Sequence, residues 1–569
     1  MNRSLVLKLA LVLTTAAIVL ILVGLPRRSG HPWTAGPTDA FRTRSVTTFL
    51  RSSELPALVR VGAALERSLV ELMRVRPSAG YLARSAARVL EPHLEVPADE
   101  PAGVTGPLLL KAIEGLGERG EELVGASAAN VALLPARARE ALAGLVATEN
   151  AIHRHLLRQR ELLGGDAAIG SNLLWLREAI RQRGGSPSRK GIEPNTVLER
   201  FDRRDSLEQL VVLADRIDQL LPVLRKELTP QVVRSLKTLP SGDGIPRNLA
   251  VAARIEAGML LIGGPGTTVI PLDGVALALD VSGEDRWCGG RSLAGLETEE
   301  PLVRLCVDLA GDDRYEGQGA QLGGCVFGLS LLLDVEGDDR YESSLLEFGA
   351  AVLGCGMLID LEGRDSYRCD VAGLGFGLSG MGMLFDAGGD DRYQSMVASL
   401  GSGAGGGAGI LVDHWGDDLY LALGSGLSAD PAGVETFALG AGWSPALGLP
   451  AGVGLALDRQ GCDVYRAGGS SLGSARGVGA GCLLDAAGDD LYSAGDYSLG
   501  AGLDAGLGLM RDLSGDDEYL SRGHSQGFGG AGAGLLIDDD GQDRFLCLMP
   551  SHGAGLDGGS GVYADLLRE

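Results

Sequence analysis

The chain has 569 residues, more than one hydrophobic core usually spans, so two or more domains are expected. It carries a net charge of −24 with 88 Gly and 5% aromatic residues, and the charge is unevenly placed: residues 271–569 hold 47 Asp and Glu against 15 Arg and no Lys, whereas residues 1–270 hold 27 acids against 35 bases. An acidic half of this kind repels nucleic acid and anionic lipid, which argues against a nucleic-acid partner, and it attracts cations.

The first element is an apolar run, Leu9 to Leu25, behind Arg3 and Lys8. Its length lies between a signal-peptide core and a spanning helix. Pro26-Arg27-Arg28 follows instead of a small-x-small cleavage site, and no Cys is present for a lipid anchor. Residues 1–30 are therefore read as an uncleaved signal-anchor, with a cleaved signal peptide as the alternative. The expectation is a single-pass cell-membrane protein whose bulk is periplasmic or extracellular. Arg27 and Arg28 blunt the positive-inside argument for orientation.

Residues 38–255 read as an α-helical domain, an antiparallel bundle of about five or six helices, with apolar residues at three and four spacing from Leu55 to Met73 and from Leu207 to Leu224. Pro135 should start or kink a helix. Pro97 to Pro101 and Gly184 to Ser188 are breakers. His153 and His155 are two apart and face different directions on a helix, so they are not a metal pair.

Residues 260–569 change character and repeat. A marker Asp recurs at 280, 308, 334, 360, 386, 413, 458, 485, 512 and 538, at 26–28 residue intervals except for one of 45. Gly stands three residues after each marker, a second Asp five after, and an aromatic seven after. Asp565 is a degenerate last copy. Apolar residues before each marker, as in Leu331-Leu-Leu, make a short buried strand. Asp-x-x-Gly is turn chemistry. The residues around the aromatic make a second strand, and a Gly-rich segment returns. The fold class is thus α + β in two parts: an N-terminal helical bundle, then a C-terminal parallel β-solenoid (β-helix) of about eleven 26–27-residue coils. At about 4.8 Å per coil the rod is about 50 Å long. The eight Cys all lie in this half without a Cys-x-x-Cys pair, and read as small buried hydrophobes.

Stacked coils place carboxylates in columns about 5 Å apart, where neighbours repel by about 3–4 kcal/mol at an effective dielectric of 20. Backbone amides, Arg side chains or bound cations are the available compensation. Arg286, Arg314, Arg340, Arg392 and Arg544 should face away from the Asp by strand alternation. Gly311-Asp-Asp-Arg-Tyr315, Gly488-Asp-Asp-Leu-Tyr492 and Gly541-Gln-Asp-Arg-Phe545 resemble the Gly-x-Asp-x-hydrophobe half of the calcium-binding nonapeptide in RTX-type parallel β-rolls. The resemblance covers about five residues per coil over 280–545. The family's leading Gly-Gly and its direct succession of nonapeptides are missing, and the marker Asp has no counterpart there. The resemblance implies Ca²⁺ held by the second Asp of each turn: Asp285, Asp313, Asp339, Asp365, Asp391, Asp418, Asp463, Asp490, Asp517 and Asp543. Without metal, the same turns form an Asp ladder satisfied by its own backbone. The aromatic column reads as core packing.

The long interval between Asp413 and Asp458 should protrude as a loop, with Trp443 as an exposed anchor for a partner. Gly-Asp-Asp and Gly523-His-Ser invite comparison with β-helix polysaccharide lyases and hydrolases. Against it, the solenoid has no Lys and only His414, His524 and His552, and Gly-Asp-Asp recurs in six turns. The expectation is a non-enzymatic, exported, membrane-anchored scaffold or adhesion protein that binds a protein or glycan of the cell envelope, with calcium in its solenoid. The alternative is a carbohydrate-active β-helix enzyme.

Overall fold

The computed structural model describes residues 78–90, 121–165, 201, 203–239, 248–264, 266–290, 300–424, 435–444, 452–549 and 552–566. The segment 1–30, the breakers at 97–101 and 184–188 and the loop residues 425–434 and 445–450 lie outside them.

Five helices are seen among the described residues: α1 (Ala79–Leu90), α2 (Glu121–Leu133), α3 (Ala136–Leu162), α4 (Arg203–Glu227) and α5 (Pro230–Arg234). Pro135 is the N-cap of α3, where a missing N–H does no harm. Thr229 caps α5 by accepting the Val232 N–H at 3.4 Å. α4 packs on α1 and α3 through Leu207, Leu210, Ala214 and Ile217. The rest of the expected bundle lies outside the described residues.

The C-terminal part is a β-solenoid of about ten turns built on three sheets. A 13-stranded marker sheet carries the strands that end on the marker Asp, such as Gly354–Asp360 and Met381–Asp386. An 11-stranded aromatic sheet carries strands such as Ser366–Val371 and Arg392–Val397. Eight two-residue strands, such as Gly377–Leu378 and Gly403–Ala404, form the return sheet. Neighbouring coils pair in parallel with like over like: Tyr341, Tyr367 and Tyr393 are in register, as are Leu332, Leu358 and Leu384.

Two boundaries differ from the sequence reading. The helical part was expected to reach residue 255, and the solenoid to start at 260. Leu249–Ile255 is instead a strand, antiparallel to Gly258–Gly263, and it begins the marker sheet. It precedes the first marker and so carries none of the repeat's residues. The eleventh copy is described only as a strand, Ser560–Asp565, paired in parallel with Ala533–Asp538.

The marker strands are mostly apolar on both faces, because both are covered; Arg304 and Arg511 are buried exceptions, paired with Glu300 and Asp539. Leu332, Leu358 and Leu384 face the solenoid interior with the aromatic column. Leu331, Leu333, Met357 and Ile359 face outward and join one core with α1, α3 and α4. This explains why three successive apolar residues precede the marker where a half-exposed strand would alternate.

The Gly of the turn is required by the neighbouring coil. A Cβ on Gly337 would lie 1.7 Å from the Gly311 carbonyl oxygen, and one on Gly363 would lie 1.8 Å from that of Gly337. The corner after the aromatic strand does need positive φ: Ala372, Leu374 and Gly375 have φ of 55°, 52° and 78°, and Ala398, Leu400 and Gly401 repeat the set.

Candidate functional site

The turn begins as an Asx-turn. The Gly388 N–H donates to Oδ1 of Asp386 at 2.9 Å, and the Ser514 N–H to Oδ1 of Asp512 at 3.0 Å. This step turns the chain so that both carboxyls of the motif point into the coil. The ten marker aspartates are at most 1% exposed, and the second aspartates from Asp285 to Asp517 are 1–3% exposed; Asp543 is half-buried.

The aromatic ring sits beneath the marker of the next coil. Tyr341 donates its hydroxyl to Oδ2 of Asp360 at 2.6 Å, Tyr420 to Asp458 at 2.6 Å and Tyr519 to Asp538 at 2.7 Å. Trp287 does the same through its indole N–H to Asp308 at 2.9 Å. The tyrosine rings stack with centroids 4.5–4.9 Å apart. The column is core packing, as expected, and also a column of hydroxyl donors. Burial pushes these phenols well above their ordinary pKa, so they remain donors.

The second aspartates form a ladder along the rod. The Asp391 N–H donates to Oδ1 of Asp418 and the Asp418 N–H to Oδ1 of Asp463, both at 2.7 Å. At the head of the ladder the Thr268 N–H takes this role toward Asp285. The backbone ladder anticipated from sequence therefore exists for Oδ1. The other oxygen is different. Oδ2 of Asp313, Asp339, Asp365, Asp391, Asp418 and Asp463 is buried with no donor. It touches the marker carboxyl of its own coil, a contact that becomes a hydrogen bond only when one of the two carries a proton. Burial first, and the neighbouring carboxylates after it, push these groups up: Asp339 to about 7 and Asp418 to about 8.

Groups of three such aspartates recur along the rod among the described residues. Asp313, Asp334 and Asp339 form one, and Asp365, Asp386 and Asp391 another, each with a carboxylate oxygen from every member within 4.8 Å of the others. From Asp285 to Asp418, each such group takes two second aspartates from adjacent coils and the marker between them. These sets could hold a metal ion; the sequence reading named the second aspartates and missed the markers as co-ligands.

A third acidic column is exposed. The Asp338 N–H donates back to Oδ1 of Asp312 at 3.1 Å, and the Asp417 N–H to Oδ1 of Asp390 at 3.2 Å, opposite in sense to the inner ladder. Beside it Arg286, Arg314, Arg340, Arg392 and Arg544 are exposed, so they do not neutralise the inner carboxylates.

A second buried ladder escaped the sequence reading. The Ser471 N–H donates to Oγ of Ser498 at 3.2 Å, and the Ser498 N–H to Oγ of Ser525 at 3.1 Å. Glu347 holds the same place near the start of the rod and accepts the N–H groups of Gly319, Gln321 and Leu322. Each stands thirteen residues after a marker, as Glu347 does after Asp334, and that spacing was the available signal.

Trp443, expected as an exposed anchor, is 9% exposed and stacks on Phe437 at 4.6 Å, because the chain rejoins the return sheet at Gly442–Trp443. Trp415, unremarked in the sequence, is 44% exposed. The eight Cys are free; Cys306, Cys325, Cys355, Cys369 and Cys482 are buried among apolar groups, as expected, and Cys462 is exposed. His155 contacts Asp205 at 2.6 Å and joins α3 to α4. Among the described residues no helix is long and apolar enough to cross a membrane, and Leu9–Leu25 lies outside them. No protein-family model, curated protein or solved structure matches the chain.

Proposed function

We propose that the chain is a non-enzymatic scaffold: an exported, membrane-anchored rod that presents repeated charged columns to a protein or glycan of the cell envelope. The observation that carries this reading is that the marker carboxyls and the tyrosine hydroxyls that bond them are buried inside the coil. A hydrolase or lyase needs acid and base groups within reach of a substrate. Here the reachable groups are the outer column of Asp312, Asp338, Asp390 and Asp417 and the adjacent Arg column, a periodic surface suited to a periodic or extended partner. Cross-linking of the purified chain to isolated envelope polysaccharide and envelope proteins tests it. A stable complex with intact glycan or with a protein supports the scaffold; release of shortened glycan overturns it in favour of the β-helix enzyme.

Calcium in the inner column is the finer part of the proposal, favoured by the recurring groups of three carboxylates. Two buried carboxylates per coil match one divalent cation per interval, and carboxylate oxygens suit Ca²⁺. The free Oδ2 of each second Asp is the atom such an ion would take. Its competitor is one proton shared between the two aspartates of a coil. Melting in Ca²⁺ and in chelator separates them: an unchanged midpoint at millimolar Ca²⁺ removes calcium from the proposal and leaves the scaffold standing.

A further inference from the structure

The tyrosines of the motif and Trp287 form one continuous stack along the axis of the rod. Trp287 and Tyr315 lie 5.7 Å apart with planes at 21°. From Tyr315 to Tyr519 every ring faces the next at 4.5–4.9 Å, with planes 2–13° apart. All of these rings are at most 1% exposed. Each is nevertheless one strand away from solvent, because its neighbours in the strand point outward: Arg340 and Glu342 flank Tyr341 and are exposed.

Every phenol of the stack has its own proton acceptor inside the coil. Each donates its hydroxyl to the marker of the next coil, as Tyr367 does to Asp386 at 2.6 Å, Tyr393 to Asp413 at 2.5 Å and Tyr465 to Asp485 at 2.6 Å. Asp386 accepts at its other oxygen from the Gly388 N–H, so the phenol faces a carboxylate rather than an acid. Core packing calls for the ring without the acceptor, and a bond between coils calls for the acceptor without face-to-face rings. The two together are what single-electron oxidation of a phenol needs. A phenol that loses an electron becomes a strong acid, and here a base stands ready to take its proton without water.

We propose that the stack is a relay for single-electron oxidation along the rod. An oxidising radical at the surface takes one electron from the nearest ring. The proton of that phenol passes to its marker carboxylate, which leaves a neutral phenoxyl radical and a protonated marker. In the next step a neighbouring tyrosine gives its electron to the phenoxyl and its proton to its own marker, while the first marker returns its proton to the first phenol. Each hop moves one electron across one coil and displaces no proton along the axis. Phe545 has no hydroxyl, so the relay ends on Tyr519; at the other end stands Trp287, whose indole N–H donates to Asp308.

The full chain in detergent and chelator, with the markers free of metal, tests the relay. Cys288→Ser and Cys547→Ser leave Cys462, in the turn before Tyr465, as the exposed thiol, and a photoexcitable ruthenium complex is attached there. Tyr315→aminotyrosine places an easily oxidised trap several coils away. After a flash with a cobalt(III) acceptor in solution, the expected result is the aminotyrosyl signal in paramagnetic resonance, arriving at a rate independent of protein concentration. Tyr341→Phe with Tyr367→Phe removes two donors on the path and is expected to abolish that signal. Tyr492→Phe with Tyr519→Phe removes two donors on the other side of the dye and is expected to leave it intact; melting curves establish that both pairs are read on folded rods. No signal in the chain with an unbroken column, a signal indifferent to the first pair, or equal loss from both pairs would each overturn the proposal, the last being the outcome of a purely structural column.

Discussion

Tyr367 places its hydroxyl between two markers, 2.6 Å from Oδ2 of Asp386 and 3.0 Å from Oδ2 of Asp360. The motif ends in Tyr rather than Phe because that oxygen joins successive coils. Phe545 is the one aromatic of the ten without a polar donor. Tyr367→Phe keeps the stack and deletes the donor. The expected loss is about 1–3 kcal/mol, read as a lower melting temperature with an unchanged far-ultraviolet spectrum.

Asp365→Asn distinguishes the two ways of neutralising the column. The Asn amide can donate permanently to Asp360, as a shared proton would. Folding raises the pKa of these carboxyls, so their contribution to stability is full below the unfolded value near 4 and is lost as pH rises through the folded values of about 7 for Asp339 and about 8 for Asp418. Under proton sharing, the melting temperature of the cation-free wild type falls across that window, and Asp365→Asn is the more stable protein near its upper end. With calcium bound, the same substitution removes a shared ligand and lowers the melting temperature in Ca²⁺.

Gly337→Ala tests the contact between coils. Its Cβ would meet the Gly311 carbonyl, which is held in the ladder, and the expected cost is about 3 kcal/mol or more. Gly274→Ala is the control: its φ of 70° disfavours Ala, yet nothing lies within 4 Å of the added carbon, and about 1 kcal/mol is expected. Chemical denaturation compares them.

Glu149 of α3 is fully buried, and both its oxygens lack a partner. Desolvation raises its pKa well above the usual range, against the pull of Arg304. The stability tied to its proton is therefore lost as pH rises above the unfolded value near 4. Glu149→Gln should stabilise the protein by about 1 kcal/mol at neutral pH and give little at acid pH, as measured by paired melting curves.

The coil was legible because one turn chemistry returns at one spacing, with Asp, Gly and Asp at their places in all ten copies and an aromatic at the fourth. What the spacing does not encode is which way a column faces. Asp285 and its equivalents pattern like surface turn residues, and only closure of the coil turns them inward onto the markers. The helix-facing side of the marker strands was hidden for a related reason: apolar residues on both faces show that both are covered, without showing by what. The corner ladder of Glu347, Ser399, Ser471, Ser498 and Ser525 varies in residue type because the backbone asks only for an oxygen there. Trp443 was misplaced because the loop's length was read as protrusion throughout, whereas its last residues rejoin the sheet.

The register between coils has a consequence for how such a gene can change. The contacts of the turn motif repeat after one coil, so an in-frame duplication or loss of one whole unit leaves each Tyr beneath a marker and each second Asp above another. An insertion of a single codon inside a marker strand reverses the side on which every later residue of that strand lies. Recombination between repeats is therefore tolerated where point insertions are not, and rod length is the character most open to variation among descendants of this chain.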